Sequence, residues 1–374
     1  MIVILKPTLT PNTKAYQETL ATLSNLPNVT IQVHTTEGTK QSVTQVHLLG
    51  ESLHWSMESI EALPGVARVV RISPCTQQLL KSSAQEAGFE FQYQGLTFSQ
   101  QHFHIFAGLC AVESKASAKA MMHALQQQGL CCTRMGVYKP RTSPYAFQGL
   151  GKLCLPYLFE LAGEYGIKVI AMEVTHERQL LEIQEIMERL NHPTGVMLQV
   201  GTRNAQNFEL LRALGEQKTF PILYKRGFGI TLEESLNAAE YLINAGNPNV
   251  IFCLRGIKSL AAAPHRNLVD FTHVGAIKRM TKMPVCIDPS HSVGSLEAGG
   301  DHLNDIFHAS AQGVIAGANM LLVDFHPTPT QAAVDARQAI HIDQLNWYLE
   351  DVALARATYL KRVALASTYA AQIG

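Results

Sequence analysis

The chain has no excess of charge of either sign: 30 Lys and Arg stand against 30 Asp and Glu. A one-signed field that would draw nucleic acid or an anionic membrane is therefore excluded, and any cationic cluster must be local. There is also no Cys-x-x-Cys pair. The seven cysteines, at 75, 110, 131, 132, 154, 253 and 286, are odd in number and irregularly spaced. That excludes a disulfide framework and predicts reduced, intracellular thiols. Long hydrophobic runs are missing too. Residues 1–5 are apolar but meet Lys6 and Pro7 at once, too short for the core of a signal peptide, and no other run reaches spanning length. The sequence predicts a cytoplasmic protein.

What is present suits a globular fold. Hydrophobic residues make up 47% of 374 and charged residues 16%, enough to bury a sizeable core. The length exceeds one average domain and fits a barrel with a small accessory domain.

Two rhythms divide the chain. Over residues 1–75, apolar runs at 2–5, 29–35, 43–49 and 66–72 and helical spacing at 12–23 and 56–63 give the order βαββαβ. Ser56 is placed to cap the second helix. This order predicts a ferredoxin-like domain, acting as a ligand sensor or an assembly module. Residues 76–103 are polar and rich in Gln and Ser, and predict a linker. From 104 to 374 eight short apolar runs follow, at 104–109, 132–138, 168–174, 195–200, 220–224, 249–253, 284–287 and 320–325. Helical segments separate them, at 116–128, 153–165, 177–190, 204–214, 231–245 and 267–280, and a terminal helix is predicted over 343–363. Eight such repeats predict a closed parallel (β/α)₈ TIM barrel, with strands apolar on both faces because both are covered.

Chemistry in such barrels sits where strands end and loops begin. Those positions carry Cys110 and Glu113 after the first strand, Arg134, Lys139, Arg141 and Thr142 around the second, and Glu173 after the third. Arg203, then Lys225 and Arg226, then Arg255 follow the next three, Asp288, Ser290 and His291 the seventh, and Asp324 and His326 the eighth. Six cations, Arg134, Lys139, Arg141, Arg203, Lys225 and Arg255, thus converge on one mouth. A single surface Arg or Lys is ordinarily just solvated. Six at equivalent positions repel one another unless anions fill the space, and guanidinium forks suit phosphate and carboxylate. A second set joins Cys110, His291 and an acid from the last strand or beyond, Asp324 or Asp335. A lone Cys at a strand end is usually a small apolar residue. Thiolate, imidazole and carboxylate together suit a divalent transition metal such as Mn, Fe, Co or Zn.

The run Lys139-Pro-Arg-Thr-Ser-Pro-Tyr-Ala-Phe-Gln-Gly-Leu-Gly151, preceded by Arg134, resembles the signature of the type I-beta 3-deoxy-D-arabino-heptulosonate 7-phosphate (DAHP) synthases. The resemblance extends to Ala107–Ser114, Gly201-Thr-Arg-Asn204, Tyr224-Lys-Arg-Gly227, Leu254-Arg-Gly256, Asp288-Pro-Ser-His291 and Val323-Asp-Phe-His-Pro327. It covers nearly the whole chain, since a ferredoxin-like domain precedes the barrel in that group. It implies condensation of phosphoenolpyruvate with erythrose 4-phosphate, the first step of the shikimate pathway to the aromatic amino acids. Synthases that use arabinose 5-phosphate lack the Lys-Pro-Arg-Thr run.

By that resemblance Arg134, Lys139 and Lys225 hold the phosphoenolpyruvate carboxylate region, Arg203 and Arg255 its phosphate, and Arg141 and Thr142 the aldose phosphate. Lys139, Glu173 and His291 are the catalytic set, with Glu173 positioning a water. Cys110, His291, Asp324 and Asp335 bind the metal. An aromatic amino acid effector and a homotetramer are implied as well. Three positions depart from the family pattern: Leu109 replaces Pro, Asp324 replaces a metal-binding Glu, and Ala336 replaces the Gly after Asp335. The shorter Asp sets its oxygens back by about 1.5 Å, while metal distances tolerate only about 0.2 Å. The sequence therefore leaves open a divergent synthase for another aldose phosphate, a metal-independent route, and a phospho-ligand-binding regulatory paralogue.

Overall fold

A computed structural model describes the chain except for residues 38–41, 51, 53–54, 71–89, 191–193, 282 and 374. It divides into two compact units, Met1–Gln77 and Gln78–Gly374.

In the first unit, strands β1 (Ile2–Leu5), β2 (Val29–Glu37), β3 (Ser42–Gly50) and β4 (Val66–Val70) form one antiparallel sheet in the order β2-β3-β1-β4. Helices α1 (Lys14–Ser24) and α2 (Met57–Glu61) complete the predicted βαββαβ order. Alternation along the strands puts Val3, Leu5, Val46, Leu48, Val66 and Val69 into one apolar core with Leu23 and Ile60 from the helices. Ser56 caps α2 by accepting from the Ser59 amide. The last two residues of the predicted fourth strand, 71 and 72, lie outside the described residues, as do 76–89 of the predicted linker.

The rest of that linker is corrected. Residues 91–98 are not a connector but a hairpin, β5 (Phe91–Tyr93) and β6 (Leu96–Phe98). Gln94 and Gly95 both take positive φ, 51° and 71°, the turn that matches strand twist. Its apolar residues were hidden among the Gln and Ser. Phe91 and Phe98 stack at 5.1 Å and are buried against the barrel's inner residues.

Strands β7 (His104–Leu109), β8 (Cys132–Met135), β9 (Val169–Val174), β10 (Gly195–Val200), β11 (Ile222–Lys225), β12 (Val250–Leu254), β13 (Val285–Ile287) and β14 (Met320–His326) pair in parallel, each with the next. The β14–β7 pair closes the ring. Side-chain parity then divides each strand. Phe106, Cys132, Val169, Ala171, Met197, Leu223, Ile251, Cys253, Cys286, Met320 and Leu322 point inward with the hairpin phenylalanines. Their neighbours in sequence face the helices. Three of the six described cysteines thus pack inside the barrel, Cys154 packs in the core outside it, and all six are free.

Helices lie where the spacing predicts them, with shifted ends. Residues 177–190 match the helix Glu177–Leu190, whereas the predicted 267–280 begins only at His273. The delay comes from residues 257–268, which close an antiparallel bridge, Ile257 to Leu268. Two helices were not predicted: Pro289–Val293, and Asp305–Ile315 capped by Asn304. The terminal helix runs from Leu345 to Ile373, well past the predicted end.

Candidate active site

The parity that fills the barrel's interior also populates its mouth. Counting in twos from the inward residues Phe106, Cys132, Ala171, Leu223, Cys253, Cys286 and Leu322 reaches Cys110, Arg134, Glu173, Lys225, Arg255, Asp288 and Asp324. Arg226 has the other parity. It turns away from the mouth and pairs with buried Asp270 at 3.0 Å. Two glycines allow the close approaches. A Cβ on Gly201 would lie 1.9 Å from the Glu173 carboxylate, and one on Gly136 would lie 2.1 Å from the Cys110 carbonyl.

The mouth holds a cavity of about 280 Å³. Five of the six expected cations line it: Lys139, Arg141, Arg203, Lys225 and Arg255. The sixth, Arg134, lies beneath, 3% exposed, and pairs with Asp324. Arg255 is 2% exposed, and its guanidinium lies 4.7 Å from the Phe228 ring centroid. One nitrogen each of Arg255 and Arg141 is buried without a hydrogen-bond partner among the described residues. Burial pushes the Arg255 pKa below its ordinary value, more than Asp288 raises it. Such a group gains from an incoming anion. Lys225 is committed to Asp288 at 2.6 Å, and the rim pair Arg203 and Thr142 are joined at 3.3 Å.

The metal candidates also come together. The Cys110 thiol donates to Asp335 Oδ2 at 3.1 Å and lies 3.7 Å from His291 Nε2. Asp335 Oδ2 is 3.6 Å from that same nitrogen. Donor separations of this size fit ligands about 2.0–2.3 Å from one shared ion. Asp324 joins Cys110 and His291 in a buried three-residue group whose donor atoms all lie within 4.8 Å of one another. Its oxygens have other partners: Oδ1 takes the Arg134 guanidinium, Oδ2 accepts from Gln338 at 2.6 Å, and its approach to His291 is to Nδ1, at 3.6 Å. The donor set therefore fits a divalent transition metal, with Cys110, His291 and Asp335 closest together and Asp324 set back, as its missing methylene implies.

Electrostatics bind this set to its surroundings. Burial opposes a charge on His291, but Asp288, Asp324 and Cys110 outweigh it and raise the imidazole to about 10. Asp335 is held far below the usual carboxylate range: burial alone would raise it, and His291, Lys139 and Cys110 overcome that. Lys139, 3.2 Å from Asp335 and 2.7 Å from the Cys110 sulfur, is buried, yet these neighbours keep it charged beyond its ordinary range. Asp335 itself sits in the left-handed region, φ 52°, on a loop tied down by Glu113, which accepts from the Ala333 amide at 2.5 Å. Leu109, in place of the family's Pro, is fully buried among the helix-facing core residues.

Three participants escaped the sequence reading. Arg266 donates to Asp335 at 3.2 Å and to Gln338 at 3.1 Å, and Phe228 lies beneath Arg255. Arg266 and Gln338 belong to loops rather than strand ends, so parity could not find them. The Gly227-Phe-Gly229 run beside Lys225 was a signal for Phe228.

A closed parallel barrel with a cationic cavity, two under-partnered guanidiniums and a thiol–imidazole–carboxylate set able to hold a metal is the architecture of an enzyme of small phosphorylated substrates. Comparison with known proteins narrows that class. Residues 87–356 match the model of the DAHP synthetase I family, and residues 1–74 match the DAHP synthase ferredoxin-like domain. A phospho-2-dehydro-3-deoxyheptonate aldolase of Thermotoga maritima is 33% identical over 92% of this chain and 94% of its own length. A crystal structure of DAHP synthase from that organism superposes with a TM-score of 0.80 at 30% identity, covering 96% of this chain and 98% of that one. A 2-dehydro-3-deoxyphosphooctonate aldolase of Acidithiobacillus ferrooxidans is 27% identical over 64% of this chain and 84% of its own length. The chain belongs to the DAHP synthetase I family, and its activity is the family's condensation of phosphoenolpyruvate with erythrose 4-phosphate, giving DAHP and phosphate.

Proposed function

We propose that the mouth residues divide that reaction as follows. Arg255 and Arg203 grip the phosphoenolpyruvate phosphate, and Lys225 with Arg134 and Lys139 fixes its carboxylate end. Arg141 and Thr142 hold the aldose phosphate. Lys139 donates a proton to the aldehyde oxygen as C3 of phosphoenolpyruvate attacks, and Glu173 orients the water that meets the cation developing at C2. Fixed positive charge then receives the departing phosphate. Holding both anions in one cavity contributes proximity on the order of 7–11 kcal/mol at best. Cys110, His291, Asp335 and Asp324 would hold Mn, Fe, Co or Zn, which when bound supplies Lewis acidity toward the aldehyde carbonyl. The observation that carries this reading is buried Arg255, with an unpartnered nitrogen at the cavity. The Lys-Pro-Arg-Thr run at 139–142 favours erythrose 4-phosphate over a longer aldose.

The same reading assigns the chain to the type I-beta group, to the cytoplasm and to a homotetramer. Residues 1–75 are its regulatory or assembly domain and answer to an aromatic amino acid. Supporting the first of these is the ferredoxin-like domain ahead of the barrel, and no described helix is long and apolar enough to cross a membrane.

The test is phosphate release from phosphoenolpyruvate with erythrose 4-phosphate or arabinose 5-phosphate, across a metal series. Release with erythrose 4-phosphate and one or more of the four metals is expected. No release with any metal overturns the proposal, and faster release with arabinose 5-phosphate overturns the substrate assignment.

A further inference from the structure

The terminal helix (Leu345–Ile373) is anchored to the barrel unit as far as Arg362, whose guanidinium donates to the Ile315 carbonyl at 3.0 Å. Leu345, Tyr348, Val352 and Ala355 are buried against the barrel unit. From 360 to 371 every residue is exposed. That stretch is nevertheless apolar: Leu360, Val363, Leu365 and Tyr369 are 53, 45, 59 and 58% exposed, and Lys361 and Arg362 are its only charges. Four large apolar side chains open to water on one helix belong against another surface. Residues 357–373 also lie past the stretch that the family model matches.

The pattern indicates what that surface is. Trp347, Leu354, Thr358, Leu365 and Tyr369 recur at intervals of seven, four, seven and four, which places them on one stripe of the helix. All five are exposed. Two charges of opposite sign flank the stripe, Glu350 early and Lys361 late, while Arg356 and Arg362 turn to the barrel and donate to the Ala318 and Ile315 carbonyls. Parallel pairing with an identical helix would set like against like. Antiparallel pairing, with the two-fold axis level with residues 355 and 356, sets Glu350 opposite Lys361 of the second copy. The same axis brings Trp347 beside Leu365 of the second copy, within one residue of direct opposition. One axis thus serves the apolar stripe and this charge pair, as an isologous contact requires.

We propose that the terminal helix is a two-fold, antiparallel helix–helix interface between two copies of this chain. The proposal rests on the homo-oligomer reading above and names the surface that reading leaves open.

Sedimentation velocity on the full chain tests it. The unmodified protein is oligomeric, and Leu354→Asp/Leu365→Asp halves its mass while circular dichroism and turnover stay unchanged. Lys361→Glu weakens the assembly about tenfold, through two symmetric like-charge contacts, and Glu350→Lys/Lys361→Glu restores it to within about threefold. A monomeric unmodified protein overturns the oligomer reading and this proposal together. An oligomer whose mass the aspartate pair leaves unchanged overturns this interface alone. A charge swap that fails to restore assembly overturns the antiparallel register.

Discussion

Arg255 joins what one side chain costs to what it does. Burying a guanidinium that keeps an unpartnered nitrogen is unfavourable in the free protein; Asp288 and the Phe228 ring offset part of that cost, and a bound anion offsets more. Arg255→Met is therefore expected to leave stability unchanged or improved while kcat/KM for phosphoenolpyruvate falls by about 10²–10³, the loss typical of one pre-aimed donor. A steady-state assay beside a urea melt separates the two effects. Cys110 is the complementary case. Its sulfur sits between Lys139, Asp335 and His291, so Cys110→Ala removes a donor no neighbour replaces. Metal retained after desalting, measured by mass spectrometry, is expected to drop to a small fraction, and turnover by about 100-fold or more, beyond what losing a supporting partner costs. Both residues were legible in the sequence because strand parity fixes inward positions without knowledge of the loops. Gln338 and Arg266 were not, because their placement depends on how two long loops fold back over the mouth.

The eight strands were legible as apolar runs, since a strand buried on both faces has no polar residue to break it. The linker was misread for the opposite reason: the hairpin 91–98 buries only alternate residues, and its polar half dominated the composition. That hairpin leads into a base where Lys278, in the last turn of the helix His273–Thr281, donates to the Gly317 carbonyl at 2.9 Å and lies 5.7 Å from the Tyr359 ring centroid. Burial, with nearby Arg356, lowers Lys278 to about 8. The sign follows from linkage. Between about pH 8 and the ordinary lysine value of about 10.5, the unfolded chain holds a proton that the folded chain has released, so raising the pH favours the fold. The stability of the unmodified protein relative to Lys278→Met is expected to rise across pH 8 to 10 in paired urea melts. A difference that stays flat or falls would remove this role for Lys278.

The two units divide labour as they divide contacts. Every residue of the cavity and of the metal set lies after residue 100, on elements whose apolar cores draw only on the second unit. The first unit carries a separate core of its own, built from Val3, Leu23, Val46 and their neighbours. A domain with an independent core can be removed without opening a cavity in the other. Residues 78–374 alone are therefore expected to fold and to keep turnover within a few-fold of the full chain. If residues 1–75 are the sensor, phenylalanine or tyrosine inhibits the full chain and leaves the shortened one untouched, because most of the residues that line the mouth's cavity are charged or polar and offer an aromatic ring little apolar surface. Inhibition that survives the truncation would place the effector in the barrel and leave the first unit with assembly alone.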